Sequence, residues 1–484
     1  MRPMDLGSRI KSGVRWLGVG KATVQIYTWV LTILTMRILE PHVYGLLAIA
    51  TIFLSFLSLF EELGLRMKLV QMKEFTTEYL RSLYGLSIVT NGILACSLMV
   101  AAPLIAVFFK QAELKAVIIV LASQFLVSSL AVIPDAMIKR QLDFRTISIV
   151  DIAQAVSAAT LTLFLAARGF GVWSLVYGTI AGTVVRTLSL VVASPFRAWP
   201  SFNFAGLGPT LRFGGLVTAS RLVWWAFSNL DRFLIGRFFD THLLGVYSGG
   251  AQLATMPLDK VGSILNLVSF AGLARAADDL KAFRHYLLRA CRLVALMMFP
   301  VFFGIAAIAR EVVPVVFGPR WLGMETVMAI LALSVPARSL SLPLIESLNS
   351  LGKPQEVLKC SLVAAVMYVT GILLGLSWGL QGIATGIVLA GGFTFATNLR
   401  IVEKNTRVSK LQIVKEVWKP LLASIAMLCL LLVLRPVLPL PFPTLGGLCL
   451  SIGVGGAFYL GLIALIDREG FLLLVNLVRP TRFQ

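Results

Sequence analysis

The sequence predicts an all-α polytopic membrane protein: about fourteen transmembrane helices, built as two parallel six-helix repeats around a central cavity plus two accessory helices. Three observations carry this reading. The 484-residue chain is 58% hydrophobic and only 14% charged, whereas soluble domains are about a quarter charged; its mean hydropathy is +0.87. Its apolar runs are about 20 residues long, the length a helix needs to cross a bilayer. A β-barrel would show alternating segments of about ten residues instead. Finally, the first half of the chain echoes in the second.

In chain order the spans fall at roughly 13–39, 42–64, 81–109, 114–134, 146–167, 170–193, 212–238, 243–272, 287–309, 322–349, 357–378, 380–399, 416–435 and 444–466. Basic residues Arg2, Arg9, Lys11 and Arg15 stand before and at the start of the first run. That run is too long for a signal-peptide core, so it reads as a retained span. Of the 43 Lys and Arg residues, 29 fall in the segments on the N-terminal side of the membrane and eight in the opposite loops. This is the positive-inside distribution, and it predicts that both termini are cytoplasmic. The net charge of +20 is therefore membrane topology rather than a nucleic-acid surface. The five cysteines (Cys96, Cys291, Cys360, Cys429, Cys449) lie in or beside apolar runs without a CxxC, and read as small buried hydrophobes.

The echo is plainest between RILEPHVYG and RFFDTHLLG: Arg37, Glu40, His42 and Gly45 match Arg237, Asp240, His242 and Gly245 at an offset of 200. Weaker matches continue in order, including Phe109 with Phe317 and Pro134 with Pro343. An even number of spans per repeat makes the halves parallel, related by an axis along the membrane normal. The expected divisions are an N-lobe over 1–199 (spans 1–6), a C-lobe over 200–399 (spans 7–12), a basic cytoplasmic linker over 400–419, and accessory spans 13–14 with a tail over 420–484. The segment 275–292, RAADDLKAFRHYLLRACR, reads as an amphipathic helix leading into span nine, with a basic face suited to anionic lipid.

Charges inside spans single out candidate residues, because a charge at membrane depth costs several kcal/mol unless it faces protein or water. In span one, Lys21, Gln25, Thr28, Thr32 and Thr35 share a stripe about 80° wide. In span seven, Thr218, Arg221, Trp225, Ser228 and Arg232 do the same. The repeat offset maps Lys21 on Arg221, Gln25 on Trp225, Thr28 on Ser228 and Thr32 on Arg232. Such a pair of cationic faces fits a water-filled cavity for an anionic ligand, for example a pyrophosphate group. Trp225 offers a surface for sugar rings, and packing is its other reading. Lys260 and Arg338 are further cations without counterparts in the first half. Asp231, Asp259 and Glu346 are candidates for ion coupling. They are also the acids that would neutralise these cations, while Lys21 has the alternative of snorkelling to the interface. No metal cluster or nucleotide motif is present, so no cofactor is expected beyond an ion or proton gradient.

The stretch RILEPHVYGLLAIA at the first turn, with GKPQ from Gly352 to Gln355, resembles the polysaccharide-transporter, or Wzx-type flippase, family. That family lies in the multidrug/oligosaccharidyl-lipid/polysaccharide exporter superfamily. The resemblance implies two six-helix lobes and flipping of undecaprenyl-pyrophosphate-linked oligosaccharides across the bacterial inner membrane for exopolysaccharide, capsule or O-antigen synthesis. It implies Lys21, Arg221 and Arg232 as head-group contacts, membrane lipids as surroundings, and the polysaccharide polymerase and chain-length machinery as partners. With no HExxH or GxSxG motif and only short loops, no enzyme activity is expected. Two alternatives from the residues are a drug/cation antiporter of the MATE type, which calls for an acidic cavity, and a membrane-embedded glycan polymerase or ligase, which calls for a large catalytic loop.

Overall fold

The computed structural model describes residues 23–61, 75–141, 143–204, 207–208, 215, 218, 221–222, 225–276, 279–437 and 444–478; over 259–272 and at 274, 436–437 and 476–478 it describes the helix and not the side chains. Among the described residues there is no strand, so the all-α class holds. Ten stretches of described residues are long and apolar enough to span a bilayer, and the longest, Pro354–Thr406, contains two helices. The protein is thus a multi-pass membrane protein.

The chain divides into two compact units, Met1–Gly245 and Val246–Gln484. Unit 1 contains α1 (23–38), α2 (Pro41–Glu61), α3 (Thr77–Phe108), α4 (Ala112–Ser129), the short α5 (Val132–Arg140), α6 (Phe144–Ala167), α7 (Val172–Ala193) and α8 (Leu230–Phe238). Helix α9 (Thr241–Arg275) starts at its end and runs on into unit 2. Unit 2 continues with α10 (Leu280–Val312), α11 (Met324–Ser350), α12 (Pro354–Gly375), α13 (Gly379–Thr406), α14 (Lys410–Val437), α15 (Leu445–Ile466) and α16 (Arg468–Val478). The repeat assigned span seven to the second lobe, whereas its described residues pack within unit 1.

In unit 1, α4 is the central helix, packed against α2, α3 and α7. Its Leu114, Val117, Ile118, Leu121, Ala122 and Phe125 are all buried. Their recurrence at spacings of three and four puts one continuous apolar face on the interior. The outer turns flagged by the repeat meet here. A Cβ on Gly45 would overlap the carbonyl oxygen of Thr241, and one on Gly245 would overlap that of Pro41. The two glycines, 200 residues apart, make the same contact on each other's turn. Only glycine lets backbones approach this closely.

In unit 2, α10, α11 and α13 enclose the core, with α12 paired on α13 and α14 on α10. Phe283, Leu287, Cys291, Val294, Met298 and Phe302 of α10 are buried together with Leu340, Leu344 and Leu348 of α11. Helix α10 has 33 residues, about 50 Å at 1.5 Å per residue, well beyond the ~30 Å of hydrocarbon. Its N-terminal turns are the amphipathic segment expected before span nine, capped by Asp279, whose side chain accepts from the Lys281 and Ala282 N–H groups. Helices α12 and α13 cross through Gly371 and Gly386, each placed where a Cβ would strike the other's carbonyl oxygen.

Prolines do not break these helices. Pro103, Pro257, Pro300, Pro336 and Pro343 all lie inside helices, as membrane helices tolerate when neighbours take up the freed backbone groups. One expected continuous span is interrupted elsewhere, at Asn229 (φ −116°, ψ 2°), between the helical residues 225–228 and α8.

Candidate functional site

The break at Asn229 divides the polar stripe of span seven. Asn229 closes the first segment: its N–H and its Nδ2 both donate to the Trp225 carbonyl, at 3.2 and 3.0 Å. Its own carbonyl accepts from the Phe233 N–H at 3.0 Å and starts α8. Asp231 stands in the first turn of α8, and its Oδ1 accepts from the Arg232 N–H at 2.8 Å. A carboxylate at a helix N-terminus is favourably placed against the helix dipole. Asp231 and Arg232, both half-buried, therefore stand beyond the bend at Asn229 from Arg221 and Trp225.

Each remaining candidate of unit 1 has a definite place. Arg221 is exposed and has no acid partner among the described residues. Trp225 packs: its Nε1 donates to Ser55 Oγ at 2.9 Å, and its ring lies 5.0 Å from that of Phe56 on α2. Thr218 Oγ1 donates to the Leu59 carbonyl at 3.2 Å, so span seven is held along α2. On α1, Gln25 and Thr28 are half-buried, and the hydroxyls turn back on their own helix. Thr28 donates to the Gln25 carbonyl at 3.0 Å, Thr32 to Thr28 at 2.8 Å, and Thr35 to Leu31 at 2.8 Å. Their donors are thus used locally and their lone pairs remain to accept. Lys21 lies outside the described residues.

In unit 2, Arg338 is exposed midway along α11, without an acid partner among the described residues. Glu346, two turns on, is half-buried and accepts from Asn349 Nδ2 at 3.3 Å. Asp259 and Lys260 lie on α9, and their side chains are outside the described set. Nothing among the described residues joins Arg338 to Glu346; they are separate features of one helix.

Two ion networks escape a reading by sequence, because their members lie far apart in the chain and near span ends. In unit 1, Arg186 of α7 bonds Asp151 of α6 and Gln154 Oε1 (3.1 Å) and approaches Asp135 of α5 at 3.5 Å. Asp135 is fully buried and also pairs with Lys139 at 2.7 Å. In unit 2, Arg292 of α10 bonds Asp467 and meets Glu469 at 3.2 Å and Glu416 at 3.5 Å. It thereby ties the start of α14 and the α15–α16 corner to α10. Glu311 at the far end of α10 pairs with Arg435 of α14 at 2.8 Å. The Tyr459 hydroxyl donates to the Leu296 carbonyl at 2.9 Å, holding α15 against α10 as well. The accessory spans are thus fastened to unit 2. The one sequence signal was the spacing: Arg292 and Glu311, like Glu416 and Arg435, stand 19 residues apart.

Comparison with known proteins gives this arrangement a family. The family described as "Polysaccharide biosynthesis protein" matches residues 33–327, more than half of the chain. The chain belongs to this family. Among curated members of the polysaccharide biosynthesis group, it is 24% identical over 391 residues to the lipopolysaccharide biosynthesis protein WzxC of Escherichia coli K12, covering 80% of this chain and 79% of that one. It is 27% identical over 337 residues to the teichuronic acid biosynthesis protein TuaB of Bacillus subtilis 168, covering 68% of each. It is 22% identical to the succinoglycan biosynthesis transport protein ExoT of Rhizobium meliloti, over 76% of this chain and 74% of that one. In fold it is similar to the lipid II flippase MurJ in its inward closed conformation, with a TM-score of 0.75 at 14% identity over 95% of this chain and 99% of that chain. It is less similar to an inward-facing multidrug resistance MATE transporter, with a TM-score of 0.59 over 78% of this chain and 94% of that one. This polysaccharide biosynthesis family member has the fold of these membrane proteins, and among the described residues Arg221 and Arg338 stand on apolar helices without an acid partner.

Proposed function

We propose that this protein is a flippase for lipid-linked oligosaccharides, moving undecaprenyl-pyrophosphate-linked repeat units across the bacterial inner membrane, with both termini cytoplasmic, for surface polysaccharide synthesis. The observation that carries the reading is Arg221: exposed, without an acid among the described residues, and placed on an otherwise apolar span just before the break at Asn229. An unpaired guanidinium on such a span needs water and an anion, and a pyrophosphate accepts its two parallel N–H donors well. Broken membrane helices are a common transporter device, because their free ends lie at substrate depth. Lys21, Arg232, Lys260 and Arg338 are the further cations of the proposed path, Gln25 and Thr28 its polar lining, and Asp231, Asp259 and Glu346 the acids for coupling to an ion gradient. Trp225 serves by holding span seven on α2. Hand-over to a polymerase and chain-length machinery follows from the product being delivered to the opposite leaflet.

The test is reconstitution in liposomes with a fluorescent undecaprenyl-pyrophosphate oligosaccharide in one leaflet. Wild type should equilibrate it between leaflets. Arg221→Gln and Lys21→Gln, each folded as judged by thermal unfolding, should slow this at least tenfold. Wild-type rates in both variants sink the cationic path. Exchange of an organic cation for protons in the same vesicles, with no oligosaccharide movement, favours a MATE-type antiporter instead.

A further inference from the structure

At the end of α10 that precedes Arg292 lies a cleft of ≈ 380 Å³ between α10, α14 and α16. It is lined by His285, Leu288, Arg289 and Arg292 of α10, Glu416 of α14, and Glu469, Leu472 and Leu473 of α16. His285, Arg289 and Arg292 stand at i, i+4 and i+7 and so share one face of α10. Arg292 is committed to Asp467, Glu469 and Glu416. Arg289 and His285 are exposed and have no ion-pair partner among the described residues.

The depth of this cleft follows from the two ion pairs along α10 and α14. Nineteen residues of helix separate the Arg292–Glu416 pair from the Glu311–Arg435 pair, about 28 Å of rise. That matches the ~30 Å hydrocarbon thickness, so each pair sits at one boundary and the cleft lies just outside one of them, at head-group level. Exposed Tyr286 and Trp418 on the same helices are the residues an interface favours. The surrounding helix surface is cationic: Lys281 and Arg284 of α10 and Arg468 of α16 are exposed.

From this we infer that the cleft is a seat for an anionic phospholipid of the leaflet on that side, with Arg289 and His285 on the phosphodiester and Leu288, Leu472 and Leu473 under the glycerol and first acyl carbons. On the orientation proposed above this is the cytoplasmic leaflet, but the lipid site does not require flippase activity. A free phosphate would leave the leucine floor unused, and a zwitterionic lipid would set its own cation against Arg289. Polybasic surfaces next to membrane spans gain about 1 kcal/mol per cation from anionic lipid, and a floor of leucines adds position to that attraction.

The experiment is native mass spectrometry of the delipidated full-length protein in detergent, titrated with phosphatidylglycerol. One lipid is expected to be retained by wild type at concentrations where phosphatidylcholine is not. The double variant Arg289→Gln/His285→Gln should bind at least tenfold more weakly, while Arg284→Gln, outside the cleft, stays within twofold. Leu472→Gln, which keeps every cation, should also weaken binding, and it serves if the double variant does not fold. Undiminished phosphatidylglycerol binding in these variants, equal retention of phosphatidylcholine, or full competition by glycerol 3-phosphate would each overturn the assignment.

Discussion

Glu311 of α10 accepts a 2.8 Å charge-assisted hydrogen bond from Arg435 of α14, and the same two helices carry the reverse pair, Arg292 with Glu416, 19 residues earlier. Exchanged charges at the two ends fix both the direction and the register of α14: reversing it would set like charges together. Glu311 is buried, and removing the partner of a buried charge typically costs about 3–5 kcal/mol. Arg435→Gln should therefore lower the thermal midpoint in detergent markedly. The swapped double variant Glu311→Arg/Arg435→Glu should recover most of the loss. Additive losses in the double variant would show that the two residues do not act as a pair.

The crossing of α12 and α13 sets a second expectation. Gly371→Ala or Gly386→Ala places a methyl on a facing carbonyl oxygen, so the helices must separate, at a cost of about 1–3 kcal/mol by the usual scale of overpacking. Gly392, with open space at its Cβ position, is the control. Its change to alanine should be neutral or stabilising by up to about 1 kcal/mol. Thermal unfolding of the three variants side by side decides it, and equal behaviour would refute the close approach.

Arg338 differs from these structural charges, because no acid among the described residues holds it. Arg338→Gln should leave the unfolding temperature within a degree or two while slowing oligosaccharide flipping about tenfold, an order typical of losing one good charge-assisted contact. A large stability loss with normal transport would assign it to packing.

Asp143 caps α6: its carboxylate accepts from the Thr146 N–H at 3.0 Å and from the Thr146 hydroxyl at 2.6 Å. These bonds, the hydroxyl first, hold its pKa below the ordinary carboxylate value. Since the folded value is the lower one, the contribution is complete above the ordinary value and fades as pH falls through the folded one. Asp143→Ala should cost about 1 kcal/mol at neutral pH, with the gap to wild type closing in acid. Asp143→Asn, which keeps an acceptor, should lose less. A gap that persists unchanged as the solution is acidified would rule the charged cap out.

Element by element, the spans were legible because apolarity over about 20 residues is a direct physical requirement of crossing hydrocarbon. Even the long α10 could be anticipated, since 275–292 is amphipathic where the rest is apolar. The break at Asn229 could not. At least six prolines, Pro420 of α14 among them, sit in unbroken helices, while the interruption occurs at Asn229, a residue with no steric reason to stop a helix. Of the candidate site, Arg221 and Arg338 were visible as charges in the wrong solvent. Trp225 was not resolvable by type alone, since packing on Phe56 and stacking on a sugar demand the same ring. The ion networks stayed hidden because Arg186 and Arg292 reach acids 35 to 177 residues away in the chain, and such meetings depend on tertiary packing rather than periodicity.

Arg292 also has a bearing on how the chain is made. Its helix is made long before the ribosome reaches Glu416, Asp467 and Glu469, so for that interval Arg292 lacks the three carboxylates it pairs with in the folded protein. During synthesis α10 can lodge only provisionally, and its final seating is deferred until the last spans arrive. A nonsense mutation upstream of Asp467 would therefore do more than shorten the protein. It would leave Arg292 without the Asp467 and Glu469 carboxylates that hold the α15–α16 corner to α10.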